Sequence, residues 1–135
     1  MSQAGETRIQ VRVIFGDTDQ AHVVYHANYL RWFEAARCEF LRARGLPYTQ
    51  MLARGVHFPV IEAYLRYRRP ALFEDQLDVV ARVTEVRGAT LRFEYAIHRA
   101  GEDDPICEGY TGHACCDDNG RPQRIPKDVK ALVTT

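Results

Sequence analysis

Several things are scarce in this chain, and each scarcity excludes a class of function. No apolar run approaches the roughly 20 residues that a membrane-spanning helix needs, and the opening MSQAGETR lacks the hydrophobic stretch of a secretory leader. Charge of one sign is also missing: Lys+Arg and Asp+Glu count 18 each among 135 residues, so no global field favours nucleic acid or an anionic membrane. The cysteines, Cys38, Cys107, Cys115 and Cys116, keep no metal-ligand spacing. They are expected to be reduced, buried small hydrophobes. Cys38 has no histidine at helical spacing to make it a nucleophile. Neither an internal repeat, a linker nor a low-complexity segment occurs. The expectation is a cytoplasmic protein whose residues 1–135 form a single domain, long enough for a real core.

The richest stretch runs from Phe15 to Leu41, FGDTDQAHVVYHANYLRWFEAARCEFL. At about 100° per residue, Tyr29, Leu30, Trp32, Phe33, Ala36, Phe40, Leu41 and Ala43 fill one half of a helical wheel, and Arg31, Glu34, Glu39 and Arg42 fill the other. Arg37 projects into the apolar half, with Glu34 one turn earlier as the partner it would need. Gly45 stops the helix. Its start, near His26 to Asn28, turns free backbone N–H groups towards a loop carrying Asp17, Asp19 and His22. A helix N-terminus stabilises an anion or a forming oxyanion, and a carboxylate beside it can attack or activate water. The same two aspartates could instead be turn residues and helix N-terminal charges.

Alternation defines the rest. Ile9, Val11, Val13 and Phe15 predict a half-buried strand ending at Gly16. Tyr48 to Arg54 reads as a short helical turn. From Phe58 to Arg69 a strand is expected with Ile61, Ala63, Leu65 and Tyr67 on one face. Leu77 to Val83 and Leu91 to Ile97 form a long hairpin about Arg87-Gly88-Ala89. Ile106 to Cys116 is a last strand whose Gly109 and Gly112 suggest close backbone approach, and Pro126 to Val133 could make a terminal helical turn. One strand, one long helix and four further strands predict an α+β domain, a sheet curled around the helix, with strand edges that favour self-association.

These residues resemble the hot-dog-fold acyl-CoA thioesterases of the 4-hydroxybenzoyl-CoA thioesterase and YbgC type. The resemblance rests on FGDTD and VVYHANYLRWFEAAR, with weaker agreement at Tyr67-Arg68-Arg69-Pro70-Ala71, Glu74-Asp75 and Arg87-Gly88. It implies a five-stranded antiparallel sheet wrapped around one long central helix, and a homodimer or homotetramer with active sites built across the subunit interface. It also implies that the protein hydrolyses an acyl thioester of coenzyme A or of an acyl carrier protein, with no cofactor beyond the coenzyme A of the substrate. Asp19 aligns with the catalytic acid and Asp17 with a structural one. The amide that polarises the thioester carbonyl corresponds to His26. Tyr25, Asn28 and Tyr29 would line or support the pocket, Arg87, Thr90 and Arg124 would meet the coenzyme A phosphates, and Glu34 and Arg37 would form a structural helix-to-loop ion pair. His22 stands where many relatives carry glycine, at a turn where positive φ is common and where histidine is better tolerated than most residues.

Two rival readings use the same fold. A hydratase would use Asp17 and His22 as base and acid on an enoyl thioester, and a binding module would hold an acyl-CoA or acyl carrier protein without hydrolysis. A metal held by Asp17, Asp19, His22 and His26 has no recognised ligand spacing. His57, His98 and His113 fall in strand patterns, as packing or surface residues.

Overall fold

The computed structural model describes residues 5–135. Five strands, β1 (Glu6–Arg12), β2 (Val60–Tyr67), β3 (Gln76–Arg87), β4 (Thr90–Arg99) and β5 (Cys107–Ala114), form one sheet in the order β1-β3-β4-β5-β2. Every pairing is antiparallel. The long helix α1 (Asn28–Ala43) follows β1, the short α2 (Tyr48–Ala53) leads back to the sheet, and α3 (Lys127–Val133) closes the chain.

Alternation places Leu77, Val79 and Ala81 of β3 and Leu91, Phe93, Tyr95 and Ile97 of β4 in the core. There they meet α1: Phe33 stacks on Tyr95 with centroids 4.2 Å apart, and Phe40 meets Phe93 edge-on at 5.2 Å. The buried face of the helix is narrower than its apolar half, since Leu30 and Ala43 are exposed. Close approach in β5 is as its glycines suggested, because a Cβ on Gly109 would lie 2.0 Å from the Tyr64 carbonyl oxygen. Gly88 turns the β3–β4 hairpin at φ 53°. Cys107, Cys115 and Cys116 are buried free thiols, and Cys38 is half-buried. Burial pushes the Cys107 thiol up to about 12, which keeps it protonated and inert.

Two strands differ from expectation. β1 stops at Arg12, short of Gly16, because the chain leaves β3 and exchanges hydrogen bonds with the turn before it: Val13 N–H donates to Asp75 O and Glu74 N–H to Val13 O, each at 2.9 Å. A 3-10 turn over Phe15–Asp17 follows, leaving Phe15 76% exposed and edge-on to Phe73 rather than in the core. β2 is an edge strand bounded at Val60 and Tyr67, and of the face carrying Ile61, Ala63, Leu65 and Tyr67 only Leu65 is even half-buried. The helix packs mainly over β1, β3 and β4 and meets β2 at its last residue, where Tyr29 lies edge-on to Tyr67.

Candidate active site

The loop between β1 and α1 doubles back on itself. Thr18 bridges Val24, Asp19 N–H donates to Val23 O at 2.9 Å, and His22 N–H donates to Asp19 O at 2.9 Å. The tight turn so formed puts His22 at φ 66°, the left-handed region that glycine tolerates best. The His22 residue is exposed.

The two loop carboxylates occupy opposite environments. Asp17 is 5% exposed. One of its oxygens accepts the Ile14 N–H at 2.9 Å and the other faces the Arg31 guanidinium at 3.5 Å. Its carbonyl accepts the Tyr25 N–H at 2.9 Å and the Asn28 side-chain amide at 2.8 Å. Asp17 and Asn28 thereby stitch the loop to the first turn of α1. Asp19 is exposed, and its Oδ1 accepts the Ala21 N–H at 2.8 Å. Among the described residues nothing engages its Oδ2.

The start of α1 is capped by Ala27, which has no side-chain acceptor to offer. Asn28 N–H donates to Tyr25 O at 2.9 Å, and Leu30 N–H to Ala27 O at 3.3 Å. No hydrogen bond among the described residues engages the His26 N–H, which therefore stands open at the positive end of the helix. Beside it is a cavity of about 260 Å³ lined by the 23–24 valines, His26, Tyr29 and the segment from Tyr67 through Arg68 and Arg69 to Pro70. Tyr29 is buried there, its hydroxyl accepts the Ala71 N–H at 3.1 Å, and burial raises its pKa. Tyr25 is exposed, its ring tilted against that of His26 at 4.5 Å.

The other expected site residues lie elsewhere. Arg87, Thr90 and Arg124 do come together, because Ile125 N–H donates to Gly88 O at 2.9 Å and brings the C-terminal segment to the β3–β4 hairpin turn. That turn is at the far end of β3 from Gln76, the residue that pairs with Arg12 just before the loop. Within one chain these three residues are remote from Asp19. The expected Glu34–Arg37 pair does not form: Glu34 is exposed, and Arg37 donates instead to the Tyr95 hydroxyl at 3.0 Å. The helix-to-loop ion pair is made by Arg31 and Asp17. Arg37 heads a buried chain in which Tyr95 Oη lies 2.6 Å from Thr111 Oγ1, Thr111 Oγ1 2.7 Å from His113 Nε2, and His113 Nδ1 3.0 Å from Phe58 O. His57 pairs with Asp118 at 2.7 Å near the surface.

Sequence reasoning gave Tyr67 no role at the site, having placed it on one face of a strand and at the head of the Tyr67-Arg68-Arg69-Pro70-Ala71 match. Its hydroxyl donates to the His26 carbonyl at 2.9 Å. A tyrosine closing an otherwise apolar strand face, directly before Arg-Arg-Pro, was the available signal.

The sequence profile of the thioesterase-like superfamily matches residues 13–133. The chain belongs to that superfamily. It is 38% identical over 124 residues to the acyl-CoA thioesterase YbgC of Haemophilus influenzae, covering 90% of this chain and 89% of that one. It is 34% identical over 125 residues to the acyl-CoA thioester hydrolase YbgC of Escherichia coli, covering 92% of each. Among solved structures, the hypothetical protein TT1821 from Thermus thermophilus superposes with a TM-score of 0.88 at 38% identity, covering 94% of this chain and 96% of that one. The five-stranded antiparallel sheet with a long helix against it is the hot-dog fold, and the protein is a thioester hydrolase.

Proposed function

We propose that this thioesterase hydrolyses acyl-CoA, with Asp19 as nucleophile or general base and the His26 backbone N–H polarising the thioester carbonyl. The observation that carries the assignment is the division between the carboxylates: Asp17 is buried and engaged in holding the loop, whereas Asp19 is exposed with an oxygen to spare. An open N–H at an uncapped helix start supplies the complementary partial positive charge. In the nucleophilic route an Asp19 oxygen bonds to the carbonyl carbon, the C–S bond breaks, coenzyme A leaves as thiolate, and water hydrolyses the mixed anhydride. In the general-base route Asp19 takes a proton from water, the resulting hydroxide attacks, and the same C–S bond breaks. Both routes place negative charge on the oxygen facing His26.

The hydratase reading is disfavoured by the same geometry. Asp17 is committed to Ile14 and Arg31, and among the described residues no hydrogen bond joins it to His22.

The active unit is at least a homodimer. From Gln76 to Arg87 a strand rises roughly 36 Å at about 3.3 Å per residue, so Arg87, Thr90 and Arg124 can meet the coenzyme A phosphates only at a site whose Asp19 belongs to another subunit. The uncovered edge of β2 is where two sheets can join. A monomeric mass by light scattering at micromolar concentration would contradict this assembly.

The function is tested by a panel of aliphatic, aromatic and enoyl-CoA thioesters with free-thiol release and enoyl absorbance as readouts. Thiol release at enzymatic rates is expected. Loss of enoyl absorbance without thiol would assign the hydratase reaction, and saturable binding without turnover would assign a binding module.

A further inference from the structure

We infer that Tyr67 is a positioning residue for the carbonyl-polarising amide, its hydroxyl holding the His26 carbonyl so that the helix start presents the His26 N–H in a fixed direction. The inference rests on the role given to His26 above. Two peptide planes meet at His26, and each is held differently. The Tyr25–His26 plane, which carries the N–H, is held through Tyr25 O, which accepts the Asn28 N–H, and the plane before it through Tyr25 N–H, which donates to Asp17 O, each at 2.9 Å. The His26–Ala27 plane precedes the helix, whose own hydrogen bonding begins at the Ala27 carbonyl, accepting from Leu30 N–H at 3.3 Å. Among the described residues the His26 carbonyl has Tyr67 as its partner, at 2.9 Å.

Tyr67 reaches the helix from the last residue of the edge strand β2, so this bond ties the sheet margin to the helix start. Its ring is braced edge-on against Tyr29 at 5.2 Å, and Tyr29 is braced against Trp32 at 5.3 Å. Tyr67 is 48% exposed, and partial desolvation raises its pKa, which keeps the hydroxyl a donor through neutral and mildly alkaline pH. Two consequences favour the forming oxyanion. The torsions on either side of the His26 Cα are held before substrate arrives. A carbonyl dipole beside the anion is also engaged by a donor.

The test is Tyr67→Phe, which retains the ring and removes the donor. Below the melting temperature, kcat for an acyl-CoA is expected to fall about tenfold, less than the hundredfold or more for loss of an oxyanion donor itself, with KM within about twofold. The amide resonance of His26 should shift in the 15N-labelled variant. Replacement of Tyr67 by 3-fluorotyrosine, which keeps a donor hydroxyl and disturbs packing little, should retain the wild-type kcat. An unchanged kcat with a lowered Tm would reduce Tyr67 to a structural role and overturn the inference. So would a raised KM at constant kcat, which marks a substrate contact, or a fluorotyrosine enzyme as slow as Tyr67→Phe. Absence of thiol release by the wild type would instead defeat the reading of the site, leaving the His26 amide shift as a separate result.

Discussion

Two regions of this molecule are built from polar side chains, and they differ in what is left over. In the buried chain beneath α1 every group is satisfied in one direction. Arg37 can only donate and the Phe58 carbonyl can only accept. The hydrogens must therefore run from Arg37 to Tyr95, from Tyr95 to Thr111, from Thr111 to His113 Nε2, and from His113 Nδ1 to Phe58 O. That order fixes the His113 tautomer and joins the helix to β4, β5 and the entry to β2. In the loop before α1 the satisfaction stops short: Asp17 is fully engaged, but an oxygen of Asp19 and the N–H of His26 remain open. Polar groups that close on one another build structure, and those left open at the surface are available to a substrate.

The largest effect expected from breaking this contrast is on turnover. Asp19→Asn keeps the size of the side chain and removes the charge that attacks or accepts a proton, so kcat for an acyl-CoA should fall at least a thousandfold with substrate binding retained. Thiol release compared with equilibrium binding checks both halves. In the buried chain the corresponding loss is stability. Thr111→Val strands the Tyr95 hydroxyl and His113 Nε2 in the core and should cost about 2–3 kcal/mol in urea unfolding, with kcat at saturating substrate little changed.

The same chain should make the fold sensitive to acid. Burial pushes His113 down to about 4, below its ordinary 6.5. As pH falls the unfolded state takes up this proton first, so the His113 contribution is complete above about pH 6.5 and is lost progressively towards pH 4, at up to about 1.4 kcal/mol per pH unit. Unfolding free energies of wild type and His113→Gln, measured between pH 7 and 4.5, should converge as the pH drops. A constant gap would contradict the linkage. The smallest effect is expected at the tip of the loop. His22→Gly relieves a left-handed residue, so stability should rise by at most about 1 kcal/mol. Hydrolysis should survive, with a changed preference across acyl-CoA lengths.

Legibility followed the range of the interactions. The apolar stripe of α1, the inward residues of β3 and β4 and the glycines of β5 obey local periods, so they could be read directly. The end of β1 could not, because it is set by Glu74 and Asp75 sixty residues away and by an Asp17 carboxylate that takes the Ile14 amide. Ile61, Ala63 and Tyr67 of β2 alternate as Ile9 and Val11 of β1 do, yet they lie exposed while those two pack against the core, a difference that alternation does not encode. Arg37 needed a partner, as its position on the wheel implied, but found the hydroxyl of Tyr95 across the core rather than its helical neighbour. At the site, the spacing of Asp17, Asp19 and His26 marked the junction of loop and helix. Which carboxylate is buried, and that Tyr67 reaches the helix start, depend on how the sheet folds back.

The most direct test of the central claim is to measure kcat and Tm together for Asp17→Asn and Asp19→Asn. An amide at residue 17 cannot reproduce both the ion pair with Arg31 and the buried bond to Ile14, so Asp17→Asn should lower Tm by several degrees while keeping kcat within about tenfold of wild type. Asp19→Asn should melt near wild type and be almost inactive. Opposite rankings by the two measures would support a structural Asp17 and a chemical Asp19. An active Asp19→Asn beside an inactive, folded Asp17→Asn would contradict it.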